Sequence, residues 1–354
     1  MTAPTTDSFM YQTMHRQPDD VERLLESGWE PASQAARLLA PARRIYVVGI
    51  GTSYHAALAG AWLLRAAGSD ARAVSSFDFA VYPESYPLRP DDAVIVMAHS
   101  GVKEYSSRSL ARAVEAGITR VSVGSLTAEH PGSQLVLRTV ERERSAAFTA
   151  SHVAAMTVLA QIATALGEES GATGIAGFRE ALDELPNQIA DVLDRKATIE
   201  PLARSAAGSR IYATGAGPNE VTAIEAVIKV REAAQGWIDA LALEQFLHGP
   251  IVAVNAGDRA IVVNMGGAGQ ERTEQVARVL EAMGAEIWLV GRAIQGLSGE
   301  RFELPELPEL ISPLLAVVPV QLFGYFMAVE KGINPDKFRR DEERYNSAFG
   351  LIKL

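Results

Sequence analysis

The most informative part of the sequence is residues 44–51, Arg-Ile-Tyr-Val-Val-Gly-Ile-Gly. A similar pattern occurs at 210–217 as Arg-Ile-Tyr-Ala-Thr-Gly-Ala-Gly. The same separation in sequence aligns further apolar and glycine positions without a gap, for example Gly101 with Gly267. One separation held over so many residues is typical of an internal repeat. We therefore expect a chain of two similar halves.

Each half alternates short apolar stretches with longer segments of helical periodicity. In the first half, strands are predicted at 45–48 and 93–98, with a helix at 54–67 between them. Strands that are apolar at every position belong to parallel sheets covered by helices on both faces. The sequence thus predicts an α/β fold with two domains, residues 1–180 and 181–354, each a doubly wound parallel sheet flanked by helices.

The composition indicates which partners are not expected and which cellular compartment is. The 354 residues carry a formal charge of −10 and contain no cysteine. A negative chain repels a phosphate backbone, so nucleic acid is not an expected partner. Without cysteine there is no disulfide and no thiolate metal site, and no signal-peptide pattern is visible at the N-terminus, so we expect a cytoplasmic protein.

Two uncharged runs, 146–167 and 310–329, are long enough to cross a bilayer as helices. Both contain polar or helix-breaking residues, such as His152 in the first and Pro319 in the second, which lipid would leave poorly satisfied. Helices that are apolar on all sides also occur in the centre of large domains. We therefore predict two buried core helices and no membrane partner.

Polar turns follow two of the predicted strands in the first half. Parallel sheets bind ligands at the carboxyl ends of their strands, where backbone N–H groups and hydroxyls can converge on an anion. Such glycine turns are also needed simply to reverse the chain, and each turn alone is compatible with that role. The residues predicted to contact an anionic substrate at these turns are Gly51, Thr52, Ser53, His99, Ser100, Gly101 and Lys103.

In the second half, Glu232 and His248 are the candidate catalytic residues. A carboxylate can move a proton between adjacent sugar carbons, and an imidazole can open a hemiacetal ring by exchanging protons with its oxygens. The alternative is that Glu225 and Lys229 form an exposed pair, that Glu232 continues the same solvated face, and that His248 is an ordinary turn residue.

The remaining histidines give no sign of a metal site. No Asp or His partner stands at metal-ligand spacing from them, so we predict no catalytic role for them, no metal and no other cofactor. These residues are His15, His55, His130 and His152.

The motifs together resemble the SIS, or sugar isomerase, family. The likeness begins at 15–18, passes through the Gly51 and Ser100 turns, and is gapless over 223–250. Within the family, the chain is similar to the isomerase half of glutamine–fructose-6-phosphate transaminases. The segments 243–250 and 334–340 are more similar to the free-standing glucosamine-6-phosphate deaminase and fructosamine deglycase branch.

The resemblance implies two SIS domains and an isomerase or deaminase that acts on an amino-sugar or fructosamine phosphate. It makes Glu232 the group that shuttles a proton between C1 and C2, and His248 the ring opener, which reaches into the neighbouring subunit of a homodimer with shared active sites. The family's C-terminal catalytic lysine aligns with Glu343, and Lys353 receives no role. The alternative is a non-catalytic regulatory protein that binds sugar phosphates.

The first half departs from the family pattern at its pocket. Ala98 and Lys103 stand where the family has two hydroxyls in its phosphate turn. Phe148 and Ala150 replace two polar residues on either side of Thr149, which is predicted to contact substrate. We therefore expect a more apolar pocket wall and an altered grip on the anion.

Overall fold

The chain divides into two compact units in the computed structural model, which describes residues 7–101 and 103–352. Of the described residues, we call those within 16–143, 148–186 and 339–352 the first unit, and those within 7–15, 144–147 and 187–338 the second unit. Val102 and Lys353 lie outside the described residues.

Fourteen α-helices and five short 3₁₀ helices lie within the described residues. The α-helices are α1 (Phe9–His15), α2 (Gln17–Ser27), α3 (Trp29–Leu39), α4 (Thr52–Ala66), α5 (Ser76–Val81), α6 (Glu104–Glu115), α7 (Ala150–Ser170), α8 (Phe178–Asp194), α9 (Glu200–Ser205), α10 (Glu220–Ala234), α11 (Leu243–Leu247), α12 (Gln270–Ala282), α13 (Pro313–Glu330) and α14 (Glu343–Phe349). The 3₁₀ helices lie at Pro83–Ser85, Thr173–Ile175, Arg195–Thr198, Gly217–Asn219 and Pro250–Ala253.

Each unit contains one five-stranded sheet, and all paired strands are parallel. The strands are β1 (Arg44–Gly49), β2 (Ala71–Ser75), β3 (Asp92–Met97), β4 (Thr119–Gly124), β5 (Leu135–Arg138), β6 (Ile211–Gly215), β7 (Ile238–Ala242), β8 (Arg259–Asn264), β9 (Glu286–Gly291) and β10 (Glu300–Phe302). The sheet orders are β2-β1-β3-β4-β5 and β7-β6-β8-β9-β10. The predicted parallel α/β class is confirmed.

Apolar strands make each sheet a buried layer. Residues 45–48 of β1 are buried on both faces, as their uninterrupted apolar sequence predicts. On one face, Tyr46 and Val48 pack in a cluster with Phe79 of α5 and Leu110 of α6. The two sheets have the same strand order, and Gly49 and Gly215 end corresponding strands. That the halves arose by duplication stays a prediction.

The two long apolar helices, α7 and α13, have the length and hydropathy of membrane spans. Their most apolar windows are 94% and 89% buried inside the structure, and each helix packs within its own unit, α7 against α4 and α13 against α10. These contacts explain why both helices are apolar on every side, as predicted for core helices.

The two units do not follow the predicted ranges at the N-terminus. Residues 7–15 cluster with the second unit, although the sequence places them in the predicted domain 1–180. Hydrogen bonds account for this, since the backbone N–H groups of Phe9 and Met10 donate to the carboxylate of Asp336 at 2.8 and 2.9 Å. The predicted boundary between residues 180 and 181 remains a prediction.

Candidate functional site

The turn after β1 depends on glycine. A Cβ on Gly49 would lie 2.4 Å from the carbonyl oxygen of Ser53, so no other residue fits without moving the backbone. Gly51 has a φ of +58°, a conformation that L side chains rarely adopt, and is the N-cap of α4. The turn therefore brings the first residues of α4, Thr52 and Ser53, back against the end of β1.

Replacing Gly49 with Ala is expected to lower the free energy of unfolding by about 1–3 kcal/mol, because the new methyl group collides with backbone. Urea denaturation measures the loss. The matched control is Gly208→Ala, since a Cβ on Gly208 meets nothing within 4 Å. Equal stability of the two variants would contradict the close approach of β1 and α4.

A second turn follows β3. Gly101 has a φ of +88°, and its N–H donates to the carbonyl of Ala98 at 3.1 Å. The N–H of Lys103 donates to the hydroxyl of Ser106 at 2.8 Å, which fixes the start of α6. Lys103 is exposed at this helix start.

These two turns share one cavity of about 450 Å³ at the carboxyl ends of the strands. Of the residues predicted to contact the anion, those that line it are Ser53, His99, Ser100, Gly101 and Lys103. Thr52 instead lines a neighbouring cavity of about 20 Å³, together with Ser53 and His99. Gly51 lines neither of these two cavities. The size of the larger cavity is in the range of small-molecule sites.

The walls of this cavity are largely apolar. Ala98 and Phe148 line it, as the departures from the family pattern predict. Ile50, Phe77 and Tyr105 complete the wall, and none of them was among the predicted site residues. The position of Phe77 could have been inferred, since it follows β2 and β2 neighbours β1 in the sheet.

His99 is an uncharged part of this wall. Its Nε2 accepts a hydrogen bond from the backbone N–H of Glu143 at 3.2 Å, so in the neutral ring the proton resides on Nδ1. Burial, with smaller effects from Arg142 and Arg16, lowers the pKa of His99 to about 4. At neutral pH the ring therefore contributes a dipole and apolar surface rather than a positive charge.

Thr149 is placed differently from its neighbour Phe148. Thr149 is fully buried, and its backbone N–H donates to both carboxylate oxygens of Glu143 at 3.0 and 3.1 Å. The N–H of Ser151 donates to the same carboxylate at 2.7 Å, so Glu143 caps the start of α7. In this segment Phe148, not Thr149, lines the 450 Å³ cavity.

The buried His99 makes stability depend on pH. Its folded pKa of about 4 lies below the usual 6.5, so the unfolded chain binds a proton first as the pH falls. Stability is therefore lost between pH 6.5 and 4, by up to about 1.4 kcal/mol per pH unit. His99→Phe is expected to flatten this slope in urea denaturation, with pH 8 as the reference for packing changes. An equally steep slope in the variant would contradict a neutral, buried His99.

In the second unit, Glu232 lies in the last turn of α10. Its side chain is 33% exposed, and its Oε2 lies 3.7 Å from the Nζ of Lys229. A carboxylate near a helix C-terminus is disfavoured by the helix dipole, and the neighbouring ammonium offsets this. Glu232 is thus a partly accessible carboxylate held beside a fixed cation.

Lys229 and Glu225 are buried, so the alternative of an exposed pair is wrong. Both side chains are fully buried, and the Lys229 Nζ lies 3.2 Å from the Glu225 Oε1. Gly324 of α13 faces Lys229, where a Cβ would lie 3.1 Å from its backbone and Cβ atoms. This close approach of two helices removes the pair from water.

His248 is an exposed residue at the end of α11. Its side chain is 76% exposed, and its Nε2 lies 3.4 Å from the Oε2 of Glu244. Glu244 also pairs with Arg272, whose hydrogen bond lowers the pKa of the Glu244 carboxyl. The imidazole ring of His248 is therefore exposed on the surface of the second unit, next to the ionised carboxylate of Glu244.

A carboxylate of the chain itself covers the turn after β8, which corresponds in sequence to the Gly101 turn. The N–H of Ala268 donates to the Oε2 of Glu309 at 3.0 Å. A Cβ on Gly267 would lie 2.1 Å from the Glu309 carboxyl carbon, and one on Gly217 would lie 3.4 Å from its Oε1. In the second unit, the Glu309 side chain therefore occupies the position where the first unit has its cavity.

The second unit has a larger open cavity of about 870 Å³ elsewhere. Its lining includes Arg210, Trp237 and Asp258, which precede β6, β7 and β8, so it lies at the amino ends of these strands. Ligands of open parallel sheets bind at the carboxyl ends. Position in the fold therefore favours the smaller cavity of the first unit as the ligand site.

Within residues 7–101 and 103–352, no group of three or more His, Asp or Glu residues is placed to hold a metal ion. Two of the remaining histidines, His130 and His152, are buried. Burial, with a smaller effect from Arg138, lowers the pKa of His130 to about 4.

The chain shares its sequence with a known family over part of its length. Residues 38–165 match the model of the SIS domain. The isomerizing glutamine–fructose-6-phosphate aminotransferase of Pyrobaculum aerophilum is 29% identical over 342 residues, which cover 94% of this chain and 56% of that protein. The chain thus spans about half the length of the curated relatives it matches.

Two solved structures share the fold. The C-terminal domain of glucosamine-fructose-6-phosphate aminotransferase from Francisella tularensis has a TM-score of 0.84 at 17% identity and covers 92% of this chain and 97% of that one. Glucosamine-6-phosphate deaminase from Thermotoga maritima has a TM-score of 0.76 at 18% identity and covers 93% and 97%. Residues 38–165 are therefore an SIS domain, and the chain is homologous to the isomerase half of glutamine–fructose-6-phosphate aminotransferase.

Proposed function

We propose that this protein isomerises or deaminates an amino-sugar phosphate or a fructosamine phosphate. The observation that carries the proposal is the partly exposed Glu232 beside the buried Lys229–Glu225 pair. A carboxylate fixed at a surface in this way can accept a proton from carbon and return it. The homology to isomerizing aminotransferases supports this reaction class.

The two catalytic residues have separate roles in this proposal. His248 exchanges protons with the ring oxygen and the anomeric hydroxyl, so the sugar opens to its chain form. The Glu232 carboxylate then removes a proton from one of the carbons C1 and C2, and the resulting carboxylic acid returns it to the other, while a proton on the oxygen or nitrogen of one carbon passes to the oxygen of the other. In an amino sugar this shift oxidises the nitrogen-bearing carbon to an imine and reduces the neighbouring carbonyl carbon to an alcohol. Water then adds to the imine and the carbon–nitrogen bond breaks, which releases ammonia or an amine. The carboxylate is regenerated, and no external oxidant or reductant is needed.

The cavity of the first unit is proposed to bind an anion such as a sugar phosphate. Lys103 supplies a positive charge, and Ser53, Ser100 and Gly101 line the same cavity. An ammonium group binds phosphate as a point charge, without the directional contacts of the hydroxyls that the family has at this turn.

We also propose that the second unit, with its own five-stranded sheet, is a second SIS domain.

A homodimer with shared sites is the third part of the proposal. The exposure of His248 supports it, because a ring opener must be covered by substrate and protein during the reaction. Val252, a few residues further on, is 82% exposed, and Trp237 is also exposed. We propose that the subunit interface covers these two side chains.

Incubation with a panel of sugar phosphates tests the reaction. The panel consists of fructose 6-phosphate, glucosamine 6-phosphate and fructosamine 6-phosphates, with ammonia, amine, aldose and ketose as the measured products. We expect turnover of at least one member. Binding of several members with a raised melting temperature and no product would instead support a non-catalytic sugar-phosphate-binding regulator.

Mixed dimers test the shared site. Glu232→Gln and His248→Ala chains are each expected to be inactive alone. After subunit exchange, about a quarter of the wild-type activity should return, because half of the dimers are mixed and each contains one intact site. Wild-type chain taken through the same exchange is the control. If co-purification of two differently tagged chains shows that mixed dimers have formed and activity stays absent, both residues act within one chain.

A further inference from the structure

The cavity of the first unit is larger than a phosphate group alone requires. Its volume of about 450 Å³ equals the volume of about 15 liquid water molecules. A phosphate group would fill only a small part of this space. The remainder must be filled by another part of the ligand or by water.

Water is a poor occupant for much of this space because the walls are apolar. Phe77 and Tyr105 meet edge to face, with ring centroids 4.8 Å apart. Phe148 meets the neutral ring of His99 in the same manner at 5.2 Å. Met97 and Ile50 complete the apolar surface. Such a wall favours an apolar group and gives a bare phosphate few hydrogen-bond partners.

Charge is confined to one side of the cavity. Lys103 and Glu104 line it at the start of α6, next to the N–H groups of that helix's first turn. His99 adds no positive charge at neutral pH, because burial lowers its pKa to about 4. The positive charge available to an anion is therefore that of Lys103, with the Glu104 carboxylate next to it in sequence, and the apolar wall lies within the same cavity.

We propose that this cavity binds an anionic group that has an aromatic or branched aliphatic group attached close to it, with the anion at Lys103 and the apolar group against Phe77, Tyr105 and Phe148. The proposal rests on the proposed function only in placing an anion at Lys103. The binding chemistry itself does not depend on turnover.

Isothermal titration of the wild-type chain with inorganic phosphate and phenyl phosphate tests the proposal. Burial of the phenyl ring is expected to make phenyl phosphate bind about 10–100-fold more tightly than inorganic phosphate. A parallel titration with phenylacetate shows whether the preferred anion is a carboxylate or a phosphate ester. If inorganic phosphate binds as tightly as phenyl phosphate, or if neither phenyl compound binds, the proposal is wrong.

Two variants locate the binding. Phe77→Ala is expected to remove most of the preference for phenyl phosphate, with inorganic phosphate unaffected. The matched control is Leu126→Ala, because Leu126 is exposed to a similar extent, 41% against 38%, and does not line the cavity. Equal effects of the two variants would overturn the assignment, as would a change in oligomeric state in Phe77→Ala without a change in affinity.

The outcome is separable from that of the proposed function. All titrations are repeated in the Glu232→Gln variant, which cannot turn over a substrate under the proposed mechanism. If phenyl phosphate is preferred and no sugar phosphate reacts, the cavity assignment stands and the proposed reaction fails. If sugar phosphates react and the preference is absent, the cavity assignment alone fails.

Discussion

Replacing Glu232 with Gln is expected to lower kcat on any turned-over sugar phosphate by about 10²–10⁴-fold, the usual contribution of a general acid–base group. The amide keeps the size of the side chain and cannot accept the carbon-bound proton. KM should change little, because the amide has the size of the carboxylate and the residues of the proposed anion site are unchanged. Steady-state kinetics with purified variants measure both parameters.

The control for this variant is Glu330→Gln. Glu330 is a carboxylate of the second unit with a side chain 44% exposed, comparable to Glu232, and it pairs loosely with Arg204 at 3.8 Å. The kcat of the Glu330→Gln variant should stay within about twofold of the wild type, since surface ion pairs contribute little to the stability of a protein. If Glu232→Gln retained wild-type kcat, Glu232 would have no place in the mechanism.

Replacing Lys229 with Met is expected to lower the free energy of unfolding by about 3–5 kcal/mol. The variant removes the cation 3.2 Å from the fully buried Glu225 carboxylate, which leaves a poorly compensated charge in the core. Urea denaturation followed by circular dichroism measures the loss.

The double variant Glu225→Leu/Lys229→Met is the control for this effect. It removes both charges and keeps most of the side-chain volume, so it should be more stable than Lys229→Met alone. A single variant within about 1 kcal/mol of the wild type would show that the pair is hydrated in solution. That result would also remove the fixed cation beside Glu232.

The strands β1 and β3 could be predicted from the sequence, and the internal repeat extends this prediction to β6 and β8. The glycine positions Gly49 and Gly215 and the apolar runs before them predict where β1 and β6 end. The two apolar helices were predicted because their polar residues suit a protein core better than lipid. The clustering of residues 7–15 with the second unit was not predicted, because it depends on hydrogen bonds to Asp336, far away in the chain.

The candidate site was only partly predictable. Local turn chemistry predicts that Ser53, Ser100 and Lys103 line one edge of a sheet, and they share a cavity. The burial of Lys229 depends on Gly324 of another helix, and no periodicity in α10 alone indicates that contact. A usable signal existed, since Val221 and Ala233 are apolar and occupy the same helical stripe as Glu225 and Lys229.

The contact made by Glu309 could not be predicted from the local sequence either. Its carboxylate reaches the N–H of Ala268 from a segment 41 positions away. The internal repeat aligns Gly267 with Gly101, and the anion contacts were predicted only for the Gly101 turn. A side chain from elsewhere in the second unit covers the Gly267 turn.

Hydrogen exchange at the sugar carbons measures the proton transfer that we propose for Glu232. The wild-type chain is incubated in D₂O with fructose 6-phosphate and with glucosamine 6-phosphate, and deuterium at C1 and C2 is followed by NMR, with Glu232→Gln in parallel. Proton transfer by Glu232 predicts deuterium incorporation by the wild type and incorporation lower by about 10²-fold or more in the variant. No incorporation by the wild type, or equal incorporation by both chains, would contradict the proposal that Glu232 transfers the proton.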